Sequence, residues 1–230
     1  DSIAEYTLYR SFNEIVINDE WIVLYDVWQE NHVSQAHGQH DYVIMVPSYG
    51  ILIMEVKGSF IRLNDQGNFQ SFNRGKNRWV EISNPYKQAK ENAYSLIKDM
   101  DYYTKAIRKN PLITWCVAFP EMNEWITTTE WKEHRLFIND HKGLRVNPDN
   151  LKKFVLRCLE IQRVKIEQSA NSRDGFLSFD NLSFVDLKQF CNGIRKIDRL
   201  EFDKSRDTDY KDLAFGKLLE SSFGGLSLLG

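Results

Sequence analysis

Three observations predict an α/β fold with a mixed central sheet flanked by helices and a mostly helical C-terminal extension. Residues Tyr42-Val43-Ile44-Met45-Val46, Ile51-Leu52-Ile53-Met54 and Ile113-Thr114-Trp115-Cys116-Val117-Ala118-Phe119 are nearly continuous apolar runs rich in β-branched and aromatic side chains. Such runs lack the alternation of a half-exposed strand, so they belong to strands covered on both faces. Segments with apolar residues at helical spacing stand before, between and after them, and these supply the covering layers. On this pattern the sequence divides into a core over residues 1–145 and a mostly helical extension over residues 146–230 packed on it.

The elements follow in order. Ser2 can cap a helix running to about Glu14, with Ala4, Leu8, Phe12 and Ile15 on one stripe. Residues 21–25 read as the first strand, and a polar connection over 29–39 follows. The runs at 42–46 and 51–54, joined through Pro47-Ser48-Tyr49-Gly50, form a hairpin. Residues 60–82 alternate apolar and polar side chains and are broken by Asp65-Gln66-Gly67-Asn68 and Arg74-Gly75-Lys76-Asn77-Arg78, which predicts strands joined by turns. Asn84 and Pro85, cap and first turn, open a helix through Tyr94, Ile97 and Tyr102 to about Lys109. The apolar strand at 113–119 ends at Pro120, and residues 135–138, with Trp125 and Trp131 nearby, complete the layer. Asp149 caps a further helix that buries Leu151, Phe154, Val155, Cys158 and Ile161; residues 168–175 read as a loop and 181–197 as helix. The apolar, Gly-rich residues 223–230 are expected to be buried against the domain or to form a junction or self-association surface.

Composition narrows the class. A chain of 230 residues, 42% hydrophobic, can bury one sizeable core with an appendage, or two small ones. Cys116, Cys158 and Cys191 form no closely spaced pair and sit in apolar surroundings, so buried thiols and a cytoplasmic location are expected. No run has the length of a membrane span, which predicts no membrane association. The chain opens on Asp1 and not on Met, as a piece of a longer protein would. A net charge of −2 means that any contact with nucleic acid rests on a local basic patch.

The chemistry concentrates at the ends of the hairpin. Side chains alternate along a strand, so Glu55 and Lys57 share a face and Val56 points away. A connection of three or five residues puts Asp41 opposite Glu55 or Lys57 on that same face; a two-residue turn puts it on the other. The odd length is predicted, with Gly50 supplying the left-handed residue that a bulged three-residue connection needs. Two carboxylates on one face repel unless a cation lies between them, and oxygen ligands with water completing the shell suit Mg²⁺ or Mn²⁺. Asp41, Glu55 and the carbonyl of Val56 are the candidate ligands, and Lys57 can orient a bound water or offset charge on a phosphate. Hydrolysis of a phosphodiester is the chemistry such a set suits.

The stretch Gly38-Gln39-His40-Asp41, the two strands with Pro47 and Gly50 between them, Glu55-Val56-Lys57-Gly58, and Asn84-Pro85-Tyr86-Lys87-Gln88-Ala89 at a helix start resembles the nuclease-related domain, NERD, of the PD-(D/E)XK nuclease superfamily. Ala4-Glu5 resembles the family's Gly-Glu pair, with Ala where Gly is usual. The resemblance spans about residues 1 to 120 and implies a restriction-endonuclease-like core, divalent-metal dependence, a DNA substrate, and often a helicase domain or subunit as partner in bacterial genome defence or repair. Asp41, Glu55, Lys57 and Gln88 match by type and order, with Gln88 assisting at the attacking water or a phosphate oxygen. Glu5 is a candidate to hold a second ion or its water, against the plain alternative of a solvated first-turn acid favoured by the helix dipole.

Other polar features carry less. His40 is expected to line the cleft, with Tyr86 and Lys87 near it; His32 and His37 fit no zinc spacing, and His134 and His141 bracket a strand. Arg74, Lys76 and Arg78 are the candidate nucleic-acid-binding residues, gripping a phosphate backbone, with an ordinary solvated turn as the alternative. From a different class, the rival to a metal-dependent DNA nuclease is a non-catalytic nucleic-acid-binding or partner-docking module that keeps the nuclease fold. Self-association into a homo-oligomer is compatible with both.

Overall fold

The structure is a computed structural model that describes residues 3–29, 38–104, 109–122, 135–139, 145–170 and 179–191. The expectations for Ser2, His32, His37, Trp125, Trp131, His134, His141, the loop beyond residue 170 and everything after residue 191 lie outside the described residues. In chain order the elements are α1 (Ile3–Asn18), β1 (Ile22–Gln29), β2 (Gly38–Val46), β3 (Gly50–Val56), β4 (Ile61–Leu63), β5 (Phe69–Asn73), β6 (Arg78–Glu81), α2 (Pro85–Thr104), β7 (Ile113–Phe119), β8 (Leu136–Ile138) and α3 (Pro148–Ala170). A short helix over residues 184–191 follows.

The central sheet has the order β1-β2-β3-β7-β8. The first three strands form an antiparallel meander, and β7 and β8 run parallel to β3, so the sheet is mixed as predicted. Every residue of β3 is buried, as the lack of polar alternation requires of a strand covered on both faces. Tyr42, Ile44, Leu52, Met54 and Val56 face α1 and α3, while Val43, Met45, Ile51 and Ile53 face α2 and residues 184–191. Strands β4, β5 and β6 leave this sheet and form a second, three-stranded one. Its Ile61 and Phe69 pack on Ala89 of α2 and on Val117 and Phe119 of β7, which seats the small sheet over the first turns of α2.

The β2–β3 connection decides the geometry of the site. Val46 pairs with Gly50 and Met45 with Ile51, so three residues, Pro47, Ser48 and Tyr49, join the strands. The left-handed residue is Ser48, with φ of 65°, where Gly50 was expected. Gly50 is needed for another reason: it has φ of 134°, and a Cβ there would lie 2.5 Å from the Leu112 carbonyl oxygen. That carbonyl accepts the Ile51 N–H at 2.8 Å, which brings the backbone so close. The guanidinium of Arg163 on α3 donates to the carbonyls of Ser48 and Tyr49, at 2.8 and 3.1 Å, and fixes the outside of the turn.

Helix ends follow their caps. The Asn84 carboxamide accepts the N–H groups of Tyr86 and Lys87 and starts α2 as expected. At α3 the cap is Asn147, which accepts from Asp149 and Asn150, with Pro148 at the first helical position; the expected cap, Asp149, sits inside the first turn. Helix α1 runs to Asn18, a turn beyond the predicted end, because Ile15 and Val16 continue its buried face. The three cysteines are free and buried. No helix among the described residues is long and apolar enough to cross a membrane.

Candidate active site

Strands β2 and β3 pair from Val46–Gly50 as far as Tyr42–Met54 and then part, although β2 stays paired with β1 down to Gly38. The separation begins where Asp41 and Glu55 replace apolar residues. The register carried one step further sets Asp41 opposite Glu55, on the α2 face, as the three-residue connection requires. Asp41 bridges the opening itself: its Oδ2 accepts the Val56 N–H at 2.6 Å in place of a ladder bond. A strand residue presents its N–H and C=O on the same edge, so the Val56 carbonyl also faces this gap. Beyond it, the Lys57 N–H returns to the sheet by donating to the Ala118 carbonyl of β7, 3.0 Å away.

Glu55 is buried at 4% exposure and is held from two sides. The Lys57 ammonium lies 2.6 Å from Oε1, and the Asn92 amide of α2 donates to Oε2 at 3.2 Å. The same Asn92 nitrogen donates to the Gln39 carbonyl on β2, so one buried side chain ties the helix to both lips of the gap. Burial and then the facing Glu55 carboxylate push the Asp41 carboxyl well above the ordinary carboxylate range; the Val56 N–H and Lys57 oppose that rise, and Glu5 adds to it. A pair of acids that resists losing its second proton is the electrostatic mark of a place that gains from a cation.

Glu5 approaches from the other side. It sits in the first turn of α1, where its carboxylate accepts the Tyr25 hydroxyl at 2.6 Å and its backbone carbonyl accepts the Tyr42 hydroxyl at 2.8 Å. Both tyrosines belong to the α1 face of the sheet, so Glu5 acts on Asp41 through the gap and not from the face that Glu55 occupies. Burial and the Glu5 bond raise the Tyr25 hydroxyl far above its usual range, so it remains a donor. His40, predicted to line the cleft, is buried at 1% exposure and pairs across the ladder with Val27 of β1, which packs on the α2 side of the sheet.

On α2, Gln88 and Asn92 stand one turn apart on the same face, so Gln88 is directed to the site side of the helix. Its Oε1 is buried with no hydrogen-bond partner among the described residues. Tyr86 packs between Phe69 and Trp115, and Lys87 makes an exposed pair with Glu91. Arg74 and Lys76 lie on the exposed turn between β5 and β6, and Arg78 is the first residue of β6. Arg74 is bound by Glu121, whose other oxygen accepts the Ser59 N–H at 2.9 Å, so this arginine helps anchor the small sheet. Lys76 and Arg78 remain exposed.

Two residues of this neighbourhood escaped the sequence analysis. Asn92 is one polar residue in a helix with many, and its partners are distant in sequence. Asp26 interrupts the apolar β1 between Tyr25 and Val27, and that interruption was the available signal. It falls between the Tyr25–Tyr42 and Val27–His40 pairs, opposite Asp41, in the left-handed region at φ of 55°, and accepts the Gln39 amide. Asp tolerates that conformation better than most residues, and strained backbone of this kind concentrates at functional sites.

Among the described residues no three His, Cys, Asp or Glu side chains gather as a ready-made metal cluster. Two carboxylates, a carbonyl facing the same gap and an unsatisfied buried amide oxygen nevertheless form an oxygen-only donor set. Mg²⁺ and Mn²⁺ accept such a set when water and substrate oxygens fill the remaining positions, so the residues fit the ion. A family model described as the nuclease-related domain matches residues 2–120, just over half of the chain and the whole of the site. Comparison with curated proteins and with solved structures returns no match.

Proposed function

The chain belongs to the nuclease-related domain family, and from that premise we propose that it is a Mg²⁺- or Mn²⁺-dependent deoxyribonuclease that hydrolyses phosphodiester bonds. The observation that carries this reading is the meeting of Asp41, Glu55 and Lys57 at the opening between β2 and β3. Asp41, Glu55 and the Val56 carbonyl would hold the ion, whose contribution is positive charge beside a phosphoryl oxygen and a more acidic bound water. Lys57 sets its ammonium against Glu55, within reach of a water or of charge growing on the phosphate. Gln88 brings an amide oxygen that can accept from the attacking water. Asn92 keeps the Glu55 carboxylate from turning away, and Glu5, behind the gap, adds negative charge that favours a second ion or its water.

DNA is the substrate on this reading, with Lys76 and Arg78 as phosphate contacts, and a helicase domain or subunit is the fitting partner because it would present separated strands. Plasmid and single-stranded DNA incubated with the purified chain test the proposal. Cleavage is expected with Mg²⁺ or Mn²⁺ and not with chelator, and Glu55→Gln should lower the rate by at least about a hundredfold. Parent-like cutting by the Glu55→Gln protein, or nucleic-acid binding without any metal-dependent cleavage, would overturn it.

A further inference from the structure

A second site lies on the opposite flank of α2. Strand β8 has three residues and pairs with Val117, Ala118 and Phe119, so among the described residues the first half of β7 has no neighbour on that edge. A cavity of about 610 Å³ occupies the notch between α2, α3 and this uncovered edge. Its walls include Lys90, Tyr94, Asn110, Trp115, Arg135 and Gln162, and none of the described residues lining it is acidic. Lys90, Tyr94 and Ile97 follow helical spacing on one face of α2, whereas Gln88 and Asn92 lie on another, and the buried Ala89 and Ala93 run between them. The cavity is therefore separate from the Asp41–Glu55 gap.

Arg135 sets its chemistry. The guanidinium donates to the Trp115 carbonyl at 2.6 Å, to the Thr114 hydroxyl at 3.2 Å and to the Gln162 amide oxygen at 2.8 Å. Those three partners are neutral, and a guanidinium has five donors in a planar fork. No carboxylate among the described residues pairs with Arg135 or with Lys90. Burial pulls the Arg135 guanidinium below its usual range, the direction expected of a charge lacking a counterion. Aromatic faces accompany the charges. The guanidinium sits 4.0 Å from the Trp115 ring centre, and Lys90 lies 5.7 Å from the ring centre of Tyr94, which is 54% exposed. Asn110 is fixed through its backbone to Asp180, leaving its side-chain amide for a ligand.

We infer that this notch binds a nucleoside monophosphate unit, its phosphate on Arg135 and Lys90, its base against Tyr94, and the amides of Asn110 and Gln162 at the base edge. A fork donor with donors to spare suits a phosphate, an exposed ring suits any base, and a cavity of this volume accommodates one nucleotide. The unit has two sources, a free nucleotide or the 5′-phosphorylated end of a strand. The inference does not depend on cleavage at the other site.

Calorimetric titration of the full chain in chelator tests it with four probes: inorganic phosphate, deoxyadenosine, deoxyadenosine 5′-monophosphate and a 5′-phosphorylated oligothymidylate. The monophosphate should bind at least about tenfold tighter than phosphate or deoxyadenosine, since only it uses both halves of the notch. Lys90→Glu, at an exposed position where folding is safe, should weaken it about tenfold. Arg135→Lys keeps the charge but loses the fork, and should weaken it several-fold while the thermal transition is preserved. Competition by the oligothymidylate identifies strand ends as the source; its absence, with the mononucleotide bound, identifies free nucleotide. Equal binding of phosphate and monophosphate, or an unchanged affinity in Lys90→Glu, would overturn the inference.

Discussion

Gly50→Ala is the most direct probe of the register that sets Asp41 opposite Glu55. The new methyl would lie 2.5 Å from the Leu112 carbonyl oxygen and 2.9 Å from the Leu112 Cβ, neither of them the end of a flexible side chain. At φ of 134° an L-residue is strained in any case, by about 1–3 kcal/mol. Forcing the two backbones apart adds a similar amount and lengthens the 2.8 Å bond from Ile51 N–H to Leu112. Together these should cost roughly 3 kcal/mol or more, a fall in Tm of about 6–12 °C for a chain of this size. Gly67→Ala is the control, because Gly67 also has positive φ, of 82°, but a Cβ there meets nothing within 4 Å. It should cost only about 1 kcal/mol. Scanning calorimetry of the two variants beside the parent measures the difference. The reasoning fails if Gly50→Ala melts no lower than Gly67→Ala. Well below its Tm, Gly50→Ala should retain parent cleavage, since the turn lies at the far end of β2 and β3 from the carboxylates.

Asp41→Asn should abolish cleavage while stabilising the metal-free protein, by on the order of 1 kcal/mol. The unfolded chain releases the Asp41 proton in the ordinary carboxylate range and the native chain only at higher pH, so native stability falls as pH rises between those two points. Denaturant midpoints taken in chelator from about pH 4 to 8 should show that loss in the parent and a flatter profile in Asp41→Asn; parallel profiles would refute it. Asn92→Asp sets another carboxylate beside Glu55 and should lower the chelator Tm, with Mg²⁺ or Mn²⁺ restoring part of it; an unchanged Tm would mean that the Asn92 bond is not made. Lys57→Met removes the cation that competes for the Glu55 oxygen, so Mn²⁺ should bind up to about fivefold tighter, a limit set by the partial exposure of the pair, while cleavage falls. Weaker Mn²⁺ binding would show that Lys57 does not screen the carboxylates.

What could be read in the sequence depended on how far apart the deciding residues stand. The meeting of Asp41 and Glu55 followed from strand alternation and one connection length, both local, and the mixed sheet followed from runs that keep no polar face. The role of Gly50 was misassigned because the obstacle to its Cβ is Leu112, which a parallel strand pairing brings into contact from far along the chain. Residues 60–82 were correctly expected as strands, but their alternation could not say that they form a sheet of their own, since that depends on β7 and not β4 taking the edge of β3.

The same distinction separates Glu55 from its supports. A carboxylate at the end of an apolar strand is conspicuous, whereas the amide that holds it comes from a helix surface crowded with polar residues. Asn92 satisfies Glu55 and Gln39 together only because α2 crosses the gap between β2 and β3, and that crossing is set by Ala89, Ala93 and Leu96 packing on the sheet. Small residues at two of those three positions bring the helix axis close enough for a side chain as short as Asn to reach the strand. Enlarging Ala93 would therefore lift Asn92 from Glu55 and loosen the site without touching any residue in it.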